Sequence, residues 1–190
     1  MEIEYEATFT NIDIDEMRVR LAKAGATLAR AEFNQKRTVF TLPEPKPGEY
    51  DRVRDEGDKI TVSVKKHDGD EIHNQKEICI TVNSYPEAVK LLEVLGCEPK
   101  AYQETGRELW ILDDVEVTID TWPFLEPYVE VEGQSEEVVR AVSDKLGFEW
   151  SKALFAAVDV QYSEKYRVSK DRINNHTPRI TFDMENPFLD

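Results

Sequence analysis

Tyr128-Val129-Glu130-Val131-Glu132 is the stretch on which the fold is read, together with Glu2-Ile3-Glu4-Tyr5-Glu6 at the start of the chain. In both, every second residue is a carboxylate and the residues between are apolar or aromatic. Side chains alternate faces along a β-strand, so each run lines one face with acids and offers the other to a hydrophobic layer. An acidic strand face ordinarily points to bulk water. Basic strands with the same alternation change that reading.

Arg52-Val53-Arg54 places two guanidinium groups on one face, and Ile60-Thr61-Val62-Ser63-Val64-Lys65 sets Thr61, Ser63 and Lys65 against three aliphatics. Arg107 opens another strand, and Val115-Glu116-Val117-Thr118-Ile119-Asp120 sets Glu116, Thr118 and Asp120 against three more. A sheet closed on itself gathers these faces into a polar lumen and leaves an apolar outside for helices to cover. Two like charges ~4 Å apart repel by about 4 kcal/mol at an effective dielectric of ~20, so the charges of such a tunnel need partners. Crowded carboxylates imply divalent metal, clustered bases imply an anion, and a nucleotide or inorganic polyphosphate with its metal supplies both.

The 190 residues suffice for one domain with a sizeable core. Lys+Arg 24 against Asp+Glu 39 gives a net charge of -15, which opposes nonspecific attraction to nucleic acid or anionic lipid. Cys79 and Cys97 have neither CxxC spacing nor a nearby histidine pair, so neither a zinc site nor a disulfide framework is expected. No N-terminal apolar stretch resembles a signal peptide and no apolar run approaches a membrane span, so a cytoplasmic location is expected.

Helices are expected from the cap at Asp13 to Gly25, from Ser84 to Gly96 with the stripe Ala88, Leu91, Leu92 and Leu95, and from Ser135 to Gly147. Strands are expected near residues 2 to 9, 27 to 32, 35 to 42, 50 to 55, 59 to 66, 75 to 82, 100 to 111, 115 to 121 and 128 to 133. Turns are expected at His67-Asp68-Gly69-Asp70 and Leu112-Asp113-Asp114. After Ser151 the sequence reads as short helices, Ala153 to Val158 and around Tyr162 to Tyr166, and then as a tail.

On these residues the chain resembles the CYTH family, the triphosphate tunnel metalloenzymes, from Glu2 to roughly Tyr166. The resemblance implies an α+β chain with an eight-stranded antiparallel closed β-barrel and helices packed outside, in one domain of core 1–166 and C-terminal segment 167–190. It also implies Mg²⁺ or Mn²⁺ and a triphosphate-containing partner, as in adenylate cyclases of class IV and thiamine or inorganic triphosphatases, and is compatible with a homodimer. Carried onto this sequence, Glu2, Glu4, Glu6, Glu77, Asp120, Glu130 and Glu132 correspond to the acids that hold metal. Arg52, Arg54, Lys65 and Arg107 correspond to the bases that hold phosphate.

The first-strand lysine of the family is missing: its position holds Glu6 if the motif starts at Glu2, or Thr8 if it starts at Glu4. Strand 75 to 82 presents Gln75, Glu77 and Cys79 where the family pattern is Arg, Glu, Glu. A bulge at Lys76, or Arg37 from the neighbouring strand, are alternative sources of the lost base. His67, His73 and His176 lie in turn-like or polar surroundings and are assigned no role. Trp110 and Trp122 are read as core, and Lys165 and Arg167 as a solvated face. No P-loop, GxGxxG or Ser-His-Asp arrangement occurs. The expected functions are metal-dependent hydrolysis or adenylate cyclisation of a triphosphate, or noncatalytic nucleotide or polyphosphate binding on the same fold.

Overall fold

In the computed structural model, which describes residues 1–189, the chain forms a nearly closed antiparallel barrel with helices outside. The strands are β1 (Glu2–Ile3), β2 (Tyr5–Phe9), β3 (Thr27–Thr41), β4 (Glu49–Asp55), β5 (Ile60–His67), β6 (Gln75–Val82), β7 (Glu98–Leu112), β8 (Val115–Thr121), β9 (Tyr128–Gly133) and β10 (Arg179–Ile180). Around the barrel the order is β1-β6-β5-β4-β3-β7-β8-β9-β2, with β10 added in parallel to β7. The N-terminal segment closes the wall. β1 pairs with β6 through Glu2↔Glu77, β2 pairs with β9 from Tyr5↔Gly133 to Phe9↔Val129, and between them Glu4 N donates to Gln75 O at 2.9 Å. Counted as halves of one interrupted strand, β1 and β2 make this the expected eight-stranded wall.

Alternation sets the two faces. Ala7, Phe9, Val117, Ile119, Val129 and Val131 are all buried outside the barrel wall, against Met17 and Leu21 of α1 (Ile14–Ala24) and Val139 and Val142 of α3 (Glu136–Lys145). Each helix begins at a side chain that accepts an orphan backbone N–H, Asp13 from Glu16 N and Ser135 from Val138 N. α1 stops at Gly25, whose φ of +88° suits a residue without Cβ. α2 (Tyr85–Val94) covers Phe40 and Val53 with Ala88 and Leu92. Of the expected stripe, Leu91 and Leu95 stay exposed, because the helix completes its buried face with Tyr85 and Val89 instead.

Two sequence expectations change. The separate strands 27–32 and 35–42 are one 15-residue strand, bent by register irregularities between Leu28 and Phe33 rather than broken by a turn. Residues 153–158 are not helical: Leu154 bridges Thr8 in both directions, Thr8 N to Leu154 O at 3.0 Å and Leu154 N to Thr8 O at 2.9 Å, so the segment runs extended across β2. The expected tail carries structure too. After α4 (Asp159–Tyr166) come α5 (Lys170–Asn175) and β10, and Tyr162, Val168, Ile173, Ile180 and Phe188 bury themselves against Trp122 and Tyr128. Among the described residues no helix is long and apolar enough to cross a membrane.

Candidate functional site

The barrel encloses a cavity of about 940 Å³. Parity along the strands decides what faces it: Tyr50, Arg52, Arg54 and Glu56 from β4 and the turn after it, Lys65 and His67 from β5, Glu77 and Cys79 from β6, Glu130 and Glu132 from β9. β3 contributes Arg37, and β7 contributes Arg107. The side chains separate into a basic cluster and an acidic one.

The basic cluster is short of counter-charge. The register sets Arg37 directly opposite Arg54 on β3 and β4, where like charges destabilise a strand pair. Arg54 reaches Glu56 at 2.7 Å and Arg52 reaches Glu77 at 3.3 Å, while Arg37 donates only to the neutral Gln35 and Thr105 and lies 4.7 Å above the Trp122 ring. Among the described residues the Nε atoms of Arg37, Arg52 and Arg54 are buried without a hydrogen-bond partner. Burial and the neighbouring guanidinium groups pull Arg37 down to about 9 and Arg54 to about 10. An arginine does not give up its proton in a protein. Keeping these charges buried beside one another is costly, and a bound anion would offset that cost.

The acidic cluster is Glu4, Glu6 and Glu132, each with a carboxylate oxygen within 4.8 Å of the other two. Burial, then Glu4 and Glu132, raise Glu6 to about 8, and burial followed by Glu4 raises Glu132 to about 7. Burial opposes ionisation of Glu4 as well, but the Lys65 ammonium, 2.7 Å and 2.8 Å from its two oxygens, holds it below the usual carboxylate range. Mutually repelling, oxygen-only donors at this spacing fit a hard divalent cation such as Mg²⁺ or Mn²⁺.

The remaining predicted acids fall elsewhere. Glu130 turns to the basic side, where its Oε2 accepts from Arg107 Nη2 at 2.5 Å. Asp120, fully buried and outside the cavity lining, accepts from Arg107 Nε and Nη2 at 2.7 and 2.8 Å and from Thr118 Oγ1. With two carboxylates around one guanidinium, burial, Glu6 and Asp120 drive Glu130 upward. Glu77 pairs with Arg52 and Lys65. Glu2 stands opposite Glu77 but is exposed and does not line the cavity, because a two-residue strand at the chain's start leaves its carboxylate in water. Of the seven acids, Glu4, Glu6 and Glu132 are the ones among the described residues whose carboxylate oxygens converge closely enough to share one ion.

The open alternatives are resolved by geometry. Glu4 and Glu6 are the inward pair, which puts Thr8 at the position of the missing lysine; Thr8 is buried beneath Leu154 and outside the lining. Lys76 turns to Asp68 at 3.2 Å, whereas Arg37 lines the cavity. Gln75 donates to Glu6 O at 2.9 Å and stays behind the wall, whereas Cys79 lines the cavity. His67, given no role from its turn-like sequence, lines the cavity with its ring parallel to that of Tyr50, centroids 6.3 Å apart. Both follow the two-residue period of Arg52, Arg54 and Lys65, the signal by which sequence reasoning could have found them.

A family model described as the CYTH domain matches residues 1–158. Solved structures similar to this one include a conserved hypothetical protein from Pyrococcus furiosus, 18% identical with a TM-score of 0.68, covering 81% of this chain and 96% of its own. A putative adenylate cyclase from Vibrio parahaemolyticus is 12% identical with a TM-score of 0.73, covering 85% and 98%. A putative adenylyl cyclase from Hippeastrum, described as having a dominant triphosphatase activity, is 10% identical with a TM-score of 0.54, covering 81% and 91%. No curated protein matches the chain.

Proposed function

For a chain that belongs to the CYTH family, we propose metal-assisted binding and turnover of a triphosphate inside the barrel. The observation that carries it is the trio of arginines, Arg37, Arg52 and Arg54, whose buried Nε atoms lack partners among the described residues, in one cavity with the Glu4, Glu6 and Glu132 cluster. The cations are placed for a polyanion, since Arg37 and Arg54 face each other across strands and Arg52 is two residues along β4. Each guanidinium offers charge-assisted, forked hydrogen bonds to phosphate oxygens.

Glu4, Glu6 and Glu132 are the residues that would hold Mg²⁺ or Mn²⁺. Bound there, the ion supplies charge neutralisation and Lewis-acid polarisation of a phosphoryl oxygen. The protein's own part is positioning. Asp120 and Glu130 fix the Arg107 guanidinium, and Glu4 fixes the Lys65 ammonium, so that both point cationic groups into the cavity without rotamer freedom left to lose. Holding a triphosphate in line between fixed cations is most of what phosphoryl transfer asks of a protein. Water attacking the terminal phosphorus and a ribose hydroxyl attacking the α-phosphorus are the two chemistries open to a ligand so held.

The placement of Thr8 favours a second reading, that of a noncatalytic binder: the residue at the position of the family's lysine is a buried threonine bridged to Leu154 and gives the cavity no cation. One experiment separates these. ATP, thiamine triphosphate and inorganic triphosphate are each incubated with Mg²⁺ or Mn²⁺ while phosphate, pyrophosphate and cyclic AMP are followed together. Metal-dependent phosphate release marks a triphosphatase, cyclic AMP with pyrophosphate marks a cyclase, and triphosphate binding without product marks the binder.

A further inference from the structure

The family match ends at residue 158, but the cavity continues. Its lining takes in Asp159, the first residue of α4, and Lys170, Asp171, Asn174 and Asn175 of α5. The segment that carries them is fastened to the barrel. β10 adds to β7 at Arg179↔Tyr102 and Ile180↔Gln103, and Tyr102 N donates to Pro178 O at 2.9 Å. Ile173 is buried in the same apolar cluster as Trp122, the ring beneath the Arg37 guanidinium. The extension is therefore built against the basic cluster from behind and borders the cavity from α5.

What it presents is polar and mixed in sign, with Asp171 paired to Asn175 and His176 and with hydrogen-bonding capacity left on other groups. Asn174 Nδ2 donates to Asp159 Oδ2 at 2.7 Å, leaving its carbonyl oxygen as an acceptor. Asp159 acts electrostatically on both His67 and Lys100. His67 follows Lys65 by two residues on the same strand face, and its Nδ1 is buried with no partner among the described residues. Lys100 is half-buried and Lys170 exposed, and no described residue forms an ion pair or hydrogen bond with either ammonium. A cavity of about 940 Å³ lies near the top of the range of roughly 300–1,000 Å³ in which drug-sized ligands bind, more than a bare triphosphate requires.

Resting on the triphosphate reading, we propose that this C-terminal extension is a specificity element: Asp159, Lys170 and Asn174 bind the part of the substrate beyond the phosphates, and that part is a hydrogen-bonding nucleoside. Donors and acceptors alternate around this part of the lining, as the edges of a base and the hydroxyls of a ribose require. A triphosphate with no head group leaves these groups to water.

The test measures calorimetric dissociation constants for ATP and for inorganic triphosphate, each with Mn²⁺, on the full-length parent, Asn174→Ala and Lys170→Ala. Lys170 is an exposed helix residue without an ion pair, so its removal leaves packing intact. The expected result is that each variant lowers the affinity for ATP relative to inorganic triphosphate by about tenfold, the scale of one lost hydrogen bond to a charged or well-placed partner. An unchanged ratio in both variants, or a parent that binds inorganic triphosphate and not ATP, overturns the specificity element and leaves the triphosphate site standing. A parent that binds neither overturns both.

Discussion

Glu6 and Glu132 show how much of this site is decided by single side chains. Both carboxyls are forced toward neutrality by burial and by Glu4, and a divalent ion removes the repulsion that does so. A metal that binds this folded cluster and not a dispersed chain stabilises the fold, so on this account Mn²⁺ should raise the melting temperature of the parent. In Glu6→Gln with Glu132→Gln the rise should vanish, even though the metal-free variant itself should melt higher, because a neutral amide avoids the cost of protonating a buried carboxylate. A full Mn²⁺ shift in the double variant would show that the ion sits elsewhere. At this scale the sequence was readable where the two-residue period ran unbroken: Arg52, Arg54, Lys65, Glu130 and Glu132 all face the cavity. It was not readable where tertiary pairing chose among residues of equal parity. Whether Glu130 meets metal or Arg107 depends on how β7 and β9 flank β8, and a one-dimensional pattern does not carry that distance.

At the scale of elements, strands and capped helices were legible because alternation and the Asp13, Ser84 and Ser135 caps are local signals. The segment 153–158 was not, since its alanines favour helix locally while two backbone hydrogen bonds to Thr8 hold it extended. The contact between α2 and β4 gives a pH test of packing. Cys97, just past α2, donates its Sγ hydrogen to Asp51 Oδ2 at 3.2 Å on the covered face of β4. Burial, then Asp51, pushes the thiol up to about 11 from an ordinary 9.0. A folded state that holds this proton more tightly than the unfolded chain has its stability contribution intact below pH 9.0 and loses it as pH rises through about 11. The stability difference between parent and Cys97→Ala, from urea unfolding at successive pH values, should therefore shift against the parent across that interval. A difference independent of pH would mean the thiol is not buried against Asp51.

The whole molecule sets a net charge of -15 around a lumen crowded with arginines. Its exterior repels a polyanion, so affinity for a triphosphate must come from the few cations concentrated inside. That division was visible in the sequence as strands of opposite sign with shared parity. The contribution of α5 was not, because nothing in Lys170 to Asn175 marks those residues as cavity lining until β10 joins β7 and brings them to it.

The most direct test of a metal-assisted triphosphate site is calorimetric titration of inorganic triphosphate, with Mn²⁺ present, into the parent, Arg54→Ala and Arg54→Lys. Arg54 is half-buried, stands opposite Arg37 and keeps a buried Nε free of any described partner. Loss of its fork should weaken binding by about 2–5 kcal/mol, the scale for truncating one partner of a buried charged hydrogen-bond pair, and Arg54→Lys should restore only part of it, since an ammonium keeps the charge without the fork. Equal affinity in the parent and Arg54→Ala would contradict the assignment of the cavity as a triphosphate site.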